Sequence, residues 1–414
     1  MIPGGVNSPV RAFRSVGGVP YFVARAEGPR VWDVEGTAYL DLVQSYGAII
    51  AGHAHPAIVE AVRAAAGDGT SYGAPTEREV LLAEEVSARV PSCEKVRMVS
   101  SGTEATMTAL RLARGATGRS RVVKFSGNYH GHADALLAES GSAVAHVDAA
   151  HGVPGSAGVP PTAVAETTVL PYNQVPVLDT DIACVIVEPV AANMGLVAPD
   201  PGFLEGLRTE CDRVGALLVF DEVITGVRIH RGGAQARFGV RPDLSCFGKV
   251  IGGGLNVGAF GGRADVMDHL APLGPVYQAG TLSGNPLATA AGLAALALLD
   301  DGAYEALAVT ATRLADGLAT AFADAGLVAR VPRVGPLVGL HLGDAEVHDY
   351  DDARSTDEAA YGLLFHELLD RGVALAPGPY EVMFPGLAHD DAVVDEIVDR
   401  AAGAAAAVAS QVST

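Results

Sequence analysis

Short apolar, β-branched runs alternate with longer segments of helical periodicity through the middle of the chain. Lys95–Val99 is predicted to be a strand, and Glu104–Arg114 the helix that follows it. A second helix is predicted over 201–213, because Pro201 stands near its first turn, where proline is tolerated. Strands separated by helices predict a mostly parallel sheet that is covered on both faces. Three more apolar runs predict further strands of that sheet: Arg121–Phe125, Ala183–Val187 and Ala216–Phe220.

The pattern changes after about residue 290. Long helices rich in alanine and leucine are predicted over 286–299 and 303–324. Short strands are predicted near 327–342 and 373–384, and a last helix closes the chain. Helices followed by short strands indicate an α+β arrangement rather than a continuation of the parallel sheet.

The N-terminal segment contains only short apolar runs. Val31–Asp33 and Ala38–Leu42 suggest a hairpin. We therefore predict an α/β fold with two domains. The large domain covers 41–290, and the smaller α+β domain is built from both ends of the chain, residues 1–40 and 291–414.

Composition limits the classes of function. The chain has 414 residues, 49% of them hydrophobic, and its formal net charge is -20. Such a charge repels phosphate backbones and anionic lipids, so we expect neither nucleic acid nor membrane as a partner. The longest uncharged apolar stretch, Pro286–Leu299, is too short to span a bilayer, and the first residues carry no targeting signal. We expect a soluble, cytoplasmic protein.

Cysteine and histidine spacing gives no clear metal site. The four cysteines are far apart and form no CxxC pair, which predicts neither disulfides nor a zinc site. Two His-x-His pairs could in principle hold a metal, His53 with His55 and His130 with His132. Neither pair is accompanied by a cysteine or an HExxH motif, so no metal is expected.

Lysine is scarce, with only Lys95, Lys124 and Lys249 in the sequence. Lys249 follows the apolar run LSCFG and precedes VIGGGLNVG, where glycines let a flat ligand approach the backbone. Desolvation there would lower the pKa of the amine and make it a nucleophile. The alternative is a loop lysine that reaches solvent. The neighbouring motifs favour the first interpretation.

The first of these motifs contains Asp221, at the end of the apolar run ALLVF. Ligands of open α/β sheets gather at the carboxyl ends of strands. A carboxylate there can pair with a pyridinium nitrogen and keep the ring protonated as an electron sink. Asp221 or Glu222 could instead bind magnesium in a phosphotransfer site, but the chain has no GxxxxGKS or GxxxxGKT loop. Asp221 could also be a purely structural acid.

Two further motifs could hold a cofactor. Ser101, Gly102 and Thr103 stand between the strand KVRMV and a helix, where backbone N–H groups form a phosphate site. Ordinary helix capping by Ser101 or Thr103 is the alternative, and it is compatible with phosphate binding. Tyr129, before His130 in FSGNYHGH, either stacks on a cofactor ring or packs in the core.

Together these residues supply an amine, a partner for a ring nitrogen, a phosphate site and a stacking ring, a set that matches pyridoxal phosphate (PLP). The sequence also resembles the glutamate-1-semialdehyde 2,1-aminomutases, a family of class-III aminotransferases with the type I PLP fold. The resemblance runs from about residue 3 almost to the end, and it implies a mostly parallel seven-stranded sheet in the large domain. The matching stretches are GGVNSPVRAF, GHAHP, SSGTEATMTALRLAR, YHGHAD, DEVITG, FGKVIGGG and YQAGTLSGNP.

The resemblance implies a role for each matching residue around the cofactor ring. Lys249 would bind the cofactor covalently and act as the general base and acid. Asp221 and Val223 would lie around the pyridine ring. Tyr129 would stack on that ring, with His130 beside it.

The resemblance also implies how the remaining groups of the cofactor are bound. Ser101, Gly102 and Thr103 would bind the phosphate, and Asn193 would lie near the ring hydroxyl. Thr281 would reach the phosphate of the neighbouring subunit. The active enzyme would therefore be a symmetric homodimer with composite active sites.

Four residues would form the substrate pocket in a protein of this family. Arg11, with Ser8 nearby, would bind the substrate carboxylate, for which a guanidinium is suited. Glu381 stands where many class-III aminotransferases have an arginine, and it would favour an amino or aldehyde end. Tyr46 replaces the tryptophan of the family pattern SWGP. From the residues alone, the favoured interpretations are a surface arginine at position 11 and a solvated strand residue at position 381.

The implied activity converts glutamate 1-semialdehyde, an amino-aldehyde, into 5-aminolevulinate for tetrapyrrole synthesis, starting from the pyridoxamine phosphate (PMP) form. The reaction needs a lid that retains the intermediate. The glycine- and alanine-rich segment from about 131 to 160, which includes the substrate-pocket residue Ser142, is the candidate. The alternative is an ordinary surface loop.

Departures from the family pattern leave other functions open. Tyr46, and Ala143 in place of a glycine, would suit an aminotransferase or specialised aminomutase acting on another ω- or β-amino acid. A catalytically silent binding protein on the same fold is a third possibility. The combination of Lys249 with Asp221 argues against it.

Overall fold

The apolar runs in the middle of the chain form one seven-stranded sheet in the computed structural model, which describes residues 1–139 and 152–412. Its order is β4-β12-β11-β10-β9-β5-β8, with the strands bounded as follows. The strands of the chain are β1 (Val23–Glu27), β2 (Arg30–Asp33), β3 (Ala38–Asp41), β4 (Lys95–Val99), β5 (Arg121–Phe125), β6 (Ala138–Glu139), β7 (Val153–Pro154), β8 (Thr167–Leu170), β9 (Ile182–Val187), β10 (Leu217–Asp221), β11 (Leu244–Gly248), β12 (Gly258–Gly262), β13 (Ala329–Arg330), β14 (Arg333–Val334), β15 (Leu337–Val338), β16 (His341–Leu342) and β17 (Val373–Ala374).

The sheet is mostly parallel. Strands β8, β5, β9, β10 and β11 pair in parallel, whereas β12 is antiparallel to both β11 and β4. The helical elements are α1 (Gln44–Gly47), α2 (Pro56–Asp68), α3 (Glu77–Arg89), α4 (Gly102–Thr117), α5 (Pro161–Val164), α6 (Phe203–Val214), α7 (Gly233–Phe238), α8 (Ala264–Met267), α9 (Pro286–Ala297), α10 (Asp301–Asp324), α11 (Tyr350–Arg354), α12 (Glu358–Asp370) and α13 (Asp391–Val412).

Helices cover both faces of this sheet. Along β9, Val185 and Val187 belong to the apolar cluster that contains Phe203 and Leu207 of α6. The alternate residues Cys184 and Ile186 belong to the cluster that contains α4. Successive strand residues point to opposite faces, so a strand buried on both sides must be apolar throughout. The predicted mostly parallel sheet with two covered faces is confirmed.

Both ends of the chain meet in a second sheet. Its order is β1-β2-β3-β17, with the first three strands antiparallel and β17 parallel to β3. The predicted hairpin is therefore confirmed as β2 and β3. One apolar core joins Phe13 and Leu40 to Leu314 of α10, Leu364 of α12 and Ile397 of α13. This sheet and this core thus take residues from the first and the last parts of the chain.

The long apolar helices near residue 290 are two elements rather than one. α9 ends at Ala297, and Asp300 begins α10 by accepting a hydrogen bond from the N–H of Ala303 at 2.8 Å. The two helices meet at an angle of 80°. None of the helices in the described ranges is by itself long and apolar enough to cross a membrane.

Candidate active site

Several strands of the large sheet end at one cavity of about 520 Å³. Asp221 is the last residue of β10, Glu188 follows β9, and Lys249 follows β11. All three line the cavity, as do the first residues of α4. This is the edge at which parallel α/β sheets bind their ligands, because the loops that follow the strands diverge there.

Lys249 is the first residue of a short 3-10 helix, and its φ of 50° turns the chain sharply away from β11. Burial lowers the pKa of its amine to about 8, although the nearby carboxylate of Glu381 acts in the opposite direction. The other two lysines already have partners: Lys95 pairs with Asp268, and Lys124 Nζ donates to the carbonyl of Leu136 at 3.0 Å. Within the described ranges Lys249 Nζ has no hydrogen-bond or ion-pair partner. It is therefore the amine available for chemistry.

Asp221 and His130 form a buried pair on one wall of the cavity. His130 Nδ1 lies 2.8 Å from Asp221 Oδ2, and the N–H of Val223 donates to Asp221 Oδ1 at 3.1 Å. The pKa of His130 is lowered, because burial outweighs the attraction of Asp221. Its Nε2 is buried without a partner among the described residues. Thr106 Oγ1 donates to the backbone carbonyl of His130 at 2.7 Å and ties this wall to α4.

The start of α4 forms the anion-binding wall. Ser101 caps the helix, since its Oγ accepts a hydrogen bond from the N–H of Glu104 at 3.2 Å. Gly102 and Thr103, the next residues, line the cavity. Gly131 packs directly on this turn, because an added Cβ there would lie 2.4 Å from Thr103 Oγ1. The helix N-terminus thus points unobstructed N–H groups at the cavity, as a phosphate requires.

Glu188 is a buried acid of the site that the sequence analysis missed. It accepts hydrogen bonds from the N–H of Tyr129 at 2.6 Å and from Asn193 Nδ2 at 3.0 Å. Burial, together with the charge of Asp221, raises its pKa to about 7. The available signal was the same as for Asp221, an acid at the end of the apolar run ACVIV. Glu188 fixes two of the predicted cofactor residues, Tyr129 and Asn193.

Tyr129 and Val223 line the cavity from different elements. Tyr129 is 53% exposed, so its ring borders the open part of the cavity instead of packing in the core. That position is compatible with stacking on a planar ligand and removes the core-packing alternative. Val223 contacts Gly102, whose added Cβ would meet both of its methyl groups at 3.1 Å.

Three predicted substrate residues, Arg11, Tyr46 and Glu381, lie near one another on the Lys249 side of the cavity. Arg11, on the 3-10 helix Pro9–Ala12, lines the same cavity. The pKa of Tyr46 is raised by burial and by the charge of Glu381, and Arg11 acts on it in the opposite direction. Burial also raises the pKa of Glu381, while Lys249 lowers it. Ser8 directly precedes the Arg11 helix and is half-buried.

Of the predicted residues that the structure describes, Ser8, Tyr46, Glu381 and Thr281 do not line this cavity. Thr281 is exposed and borders a separate cavity of about 370 Å³, with Tyr72 and Asn285. Ser142, with Gly141 and Ala143 of the expected lid, lies outside the described residues.

The histidine pairs serve other purposes than a shared metal. His53 Nε2 lies 2.6 Å from Asp41 Oδ2, and His130 pairs with Asp221. Among residues 1–139 and 152–412, no group of three or more His, Cys, Asp and Glu side chains is arranged to hold a metal ion.

The cavity fits PLP in shape and in donor set. A buried carboxylate can face a ring nitrogen, a helix N-terminus can face a phosphate, and the Lys249 amine, which has no partner among the described residues, lines the same cavity. The unpaired Nε2 of His130 leaves one buried polar atom for a ligand to satisfy. The volume of about 520 Å³ is in the range of cofactor sites.

Comparisons with known proteins agree with this fit. The class-III aminotransferase family model matches residues 13–404. A glutamate-1-semialdehyde 2,1-aminomutase of Bordetella avium (strain 197N) is 54% identical over 411 residues, which cover 97% of this chain and 95% of the relative.

Solved structures show the same similarity. An omega-transaminase from Sphaerobacter thermophilus has a TM-score of 0.91 and 34% identity, covering 99% of this chain and 95% of that one. A variant of a glutamate-1-semialdehyde aminomutase from Pseudomonas aeruginosa PAO1, in complex with PMP, has a TM-score of 0.83 and 27% identity. The match covers 94% of this chain and 88% of that one. The chain belongs to the class-III aminotransferase family.

Proposed function

We propose that the protein is a PLP-dependent aminomutase that converts glutamate 1-semialdehyde into 5-aminolevulinate. The observation that carries the proposal is the unpartnered amine of Lys249, placed between the Asp221 wall and the Arg11–Glu381 side of the cavity. The 54% identity to the Bordetella avium aminomutase supports this choice of substrate.

In this assignment the cofactor is held by three walls of the cavity. Asp221 pairs with the ring nitrogen, and the N–H groups of Gly102 and Thr103 bind the phosphate. Tyr129 covers the ring, and Asn193 lies beside the ring hydroxyl. When bound, PLP withdraws electrons from the substrate carbon, and its PMP form carries the amino group.

The side chains of the chain itself then supply proton transfer and selection. Lys249 Nζ, neutral above its pKa of about 8, takes a proton from one carbon and returns it to another. Arg11 binds the substrate carboxylate. Glu381 repels a second carboxylate, and therefore favours a substrate whose other end is an amine or aldehyde.

The deciding experiment supplies glutamate 1-semialdehyde and no amino donor to the purified, cofactor-loaded protein. Rapid formation of 5-aminolevulinate is the expected result, because both amino positions belong to one molecule. Conversion only after an amino donor and a keto acceptor are added would refute the aminomutase.

That second outcome would support an aminotransferase on another ω- or β-amino acid. Tyr46 favours this alternative, since a tryptophan is usual at the position and a smaller ring enlarges the pocket. The similarity to the Sphaerobacter thermophilus omega-transaminase is compatible with it.

We also propose a homodimer in which Thr281 completes the active site of the partner. Thr281 is exposed and borders a different cavity from that of Lys249, and large apolar side chains of the neighbouring segments are exposed as well. Contiguous exposed apolar surface is typical of protein interfaces. The apolar residues in question are Tyr72, Val80, Tyr277 and Leu282.

We place the protein in the cytoplasm. Its four cysteines are free and buried, as in a chain that folds in a reducing compartment. The net charge of -20 gives no electrostatic attraction to anionic membranes or nucleic acid.

A further inference from the structure

Arg228 is a fully buried arginine that none of these assignments uses. Its Nη2 donates to the carbonyls of Gly47 at 2.9 Å and Ile49 at 2.7 Å. No carboxylate pairs with it in the described part of the chain, and its Nε and Nη1 have no hydrogen-bond partner there. Burial lowers the pKa of the guanidinium to about 9. Burying an unpaired charge lowers the stability of the fold. We therefore infer that the two hydrogen bonds to Gly47 and Ile49 have a role that offsets this loss.

The two carbonyls belong to a strained piece of backbone. Gln44, Ser45 and Tyr46 have φ of 44°, 52° and 55°, so that α1 is one turn of left-handed helix. A residue with a side chain is strained in this conformation, because its Cβ approaches the following carbonyl oxygen. Three such residues in succession persist only if the surrounding contacts hold them.

Asp41 holds the entrance to this turn. Its carboxylate accepts hydrogen bonds from the N–H of Val43 at 2.9 Å and of Gln44 at 3.2 Å. His53 binds the same carboxylate at 2.6 Å. Arg228 holds the exit. The turn is thus held at both ends, by Asp41 and by Arg228. Of these two residues, Arg228 comes from the segment that follows β10.

The turn forms part of the substrate side of the cavity. Ser45 and Ala48 line the cavity with Lys249. Tyr46 lies near enough to Glu381 and Arg11 for both charges to change its pKa. A change in the shape of the turn would therefore move groups that face the substrate, while the Asp221 wall and α4 stay in place.

Phe384 closes the remaining side. The Arg228 guanidinium lies 5.2 Å from the centre of the Phe384 ring, and an added Cβ on Gly47 would lie 2.6 Å from that ring. The space leaves no room for a side chain at position 47. Phe384 thus packs against both the turn and the guanidinium that binds its carbonyls.

We propose that Arg228 is a positioning residue for substrate recognition, which holds the left-handed turn in the shape that presents Ser45 and Tyr46 to the substrate. The choice of substrate rests on the proposed function. The structural part of the proposal does not rest on it, since that part concerns only the turn and the hydrogen bonds that Arg228 donates to it.

The test compares Arg228→Met and Arg228→Lys with Arg89→Met in the cofactor-loaded protein. Arg89 is the control because it is also buried and donates to two carbonyls, of Leu296 at 2.7 Å and Leu299 at 3.0 Å, none of which lines the cavity. It differs from Arg228 in a further bond to Glu85 at 2.7 Å. Hydrogen–deuterium exchange of residues 43–50, KM and kcat for glutamate 1-semialdehyde, and the visible spectrum of the cofactor are measured.

Arg228→Met is expected to speed exchange over residues 43–50 about tenfold. It should raise KM about tenfold or more and change kcat less, the smaller effect on kcat coming from the loss of a charge that lowers the pKa of Lys249. Arg228→Lys keeps the charge and can donate to one carbonyl, so exchange and KM should change less than in Arg228→Met. This variant also provides the test if Arg228→Met does not fold. Arg89→Met should change neither exchange nor KM.

Unchanged exchange over residues 43–50 in both Arg228 variants would overturn the proposal, as would the same change in KM for Arg89→Met. If the wild-type protein does not convert glutamate 1-semialdehyde, the proposed function fails, and the exchange measurement still decides whether Arg228 holds the turn.

Discussion

Lys249 Nζ is surrounded by carboxylates and bonded to none of them in the described residues. Glu381, Glu188 and Asp221 favour its charged form, while burial and Arg228 favour the neutral form, and burial prevails. The resulting pKa of about 8 allows the amine to gain and lose a proton close to neutral pH.

We predict that cofactor capture by the apo-protein follows this pKa. The neutral amine is the nucleophile, so the rate at which added PLP develops a visible absorbance should rise with pH and level off above about 8. Stopped-flow absorbance between pH 6 and pH 10 measures it, at roughly one reading per half unit.

Two lysine variants complete that measurement. Lys249→Ala should develop no visible absorbance at any pH, whereas Lys95→Ala, at an exposed ion pair with Asp268, should behave as the wild type. If the rate of absorbance change keeps rising up to a pH near 10.5, the ordinary lysine pKa, burial does not lower the pKa of the Lys249 amine.

At this scale the sequence identifies residues whose neighbours in the chain already suggest their chemistry. Lys249 stands before three glycines, and Asp221 ends an apolar strand. Glu188 was missed although it also ends an apolar run, and the roles of both Glu188 and Arg228 depend on contacts across the fold. Glu188 binds Tyr129, 59 residues away, and Arg228 binds Gly47, 181 residues away. Local patterns carry no information about such pairs.

Helix α4 depends on a glycine outside the helix for its access to the cavity. Gly131 has a φ of 79° and lies against Thr103. We predict that Gly131→Ala raises the cofactor Kd about tenfold or more, because the new methyl group displaces Thr103 from the phosphate site. Fluorescence or absorbance titration of the apo-protein with PLP measures this.

Gly118→Ala is the control for that substitution. Gly118 ends the same helix with a φ of 69°, and an added Cβ would meet nothing within 4 Å. Both variants should lose about 1 kcal/mol of unfolding free energy through left-handed strain. An equal rise in Kd for both would mean that strain, and not the contact with Thr103, weakens binding.

The elements that periodicity predicts are those with apolar, β-branched strands. Arg121–Phe125 agrees with β5 at both ends, and Lys95–Val99 with β4. Strand β12, GAFGG, gave no such signal, because glycine is depleted in strands. Its glycines are required by close packing, since an added Cβ on Gly258 would lie 2.3 Å from the carbonyl oxygen of Ser101.

For the whole molecule, a composite active site has a consequence that a monomer could not imitate. Lys249→Ala and Thr281→Asp subunits should each be inactive alone, the first without its amine and the second with an acid beside the partner's phosphate. After mixing of equal amounts and subunit exchange, about half of the dimers should be hybrids with one of their two sites intact, so the mixture should regain about one quarter of the wild-type activity.

Activity of the mixture no greater than that of the separate variants, with exchange of subunits verified by mass, would argue against the composite site. The sequence predicts this arrangement only through its family resemblance. The division at residues 41 and 290 likewise stays a prediction, although cores containing both chain ends are present.

The pairing of Leu40 with Val373 also sets an order of events during synthesis. All seven strands of the large sheet have left the ribosome once Gly262 has emerged. The N-terminal strands must then wait for β17 and α13, and they expose an unpaired edge meanwhile. Nascent chains of about 262 to 373 residues contain every strand of the large sheet but lack the partner of Leu40. We therefore expect chains of this length to need chaperones.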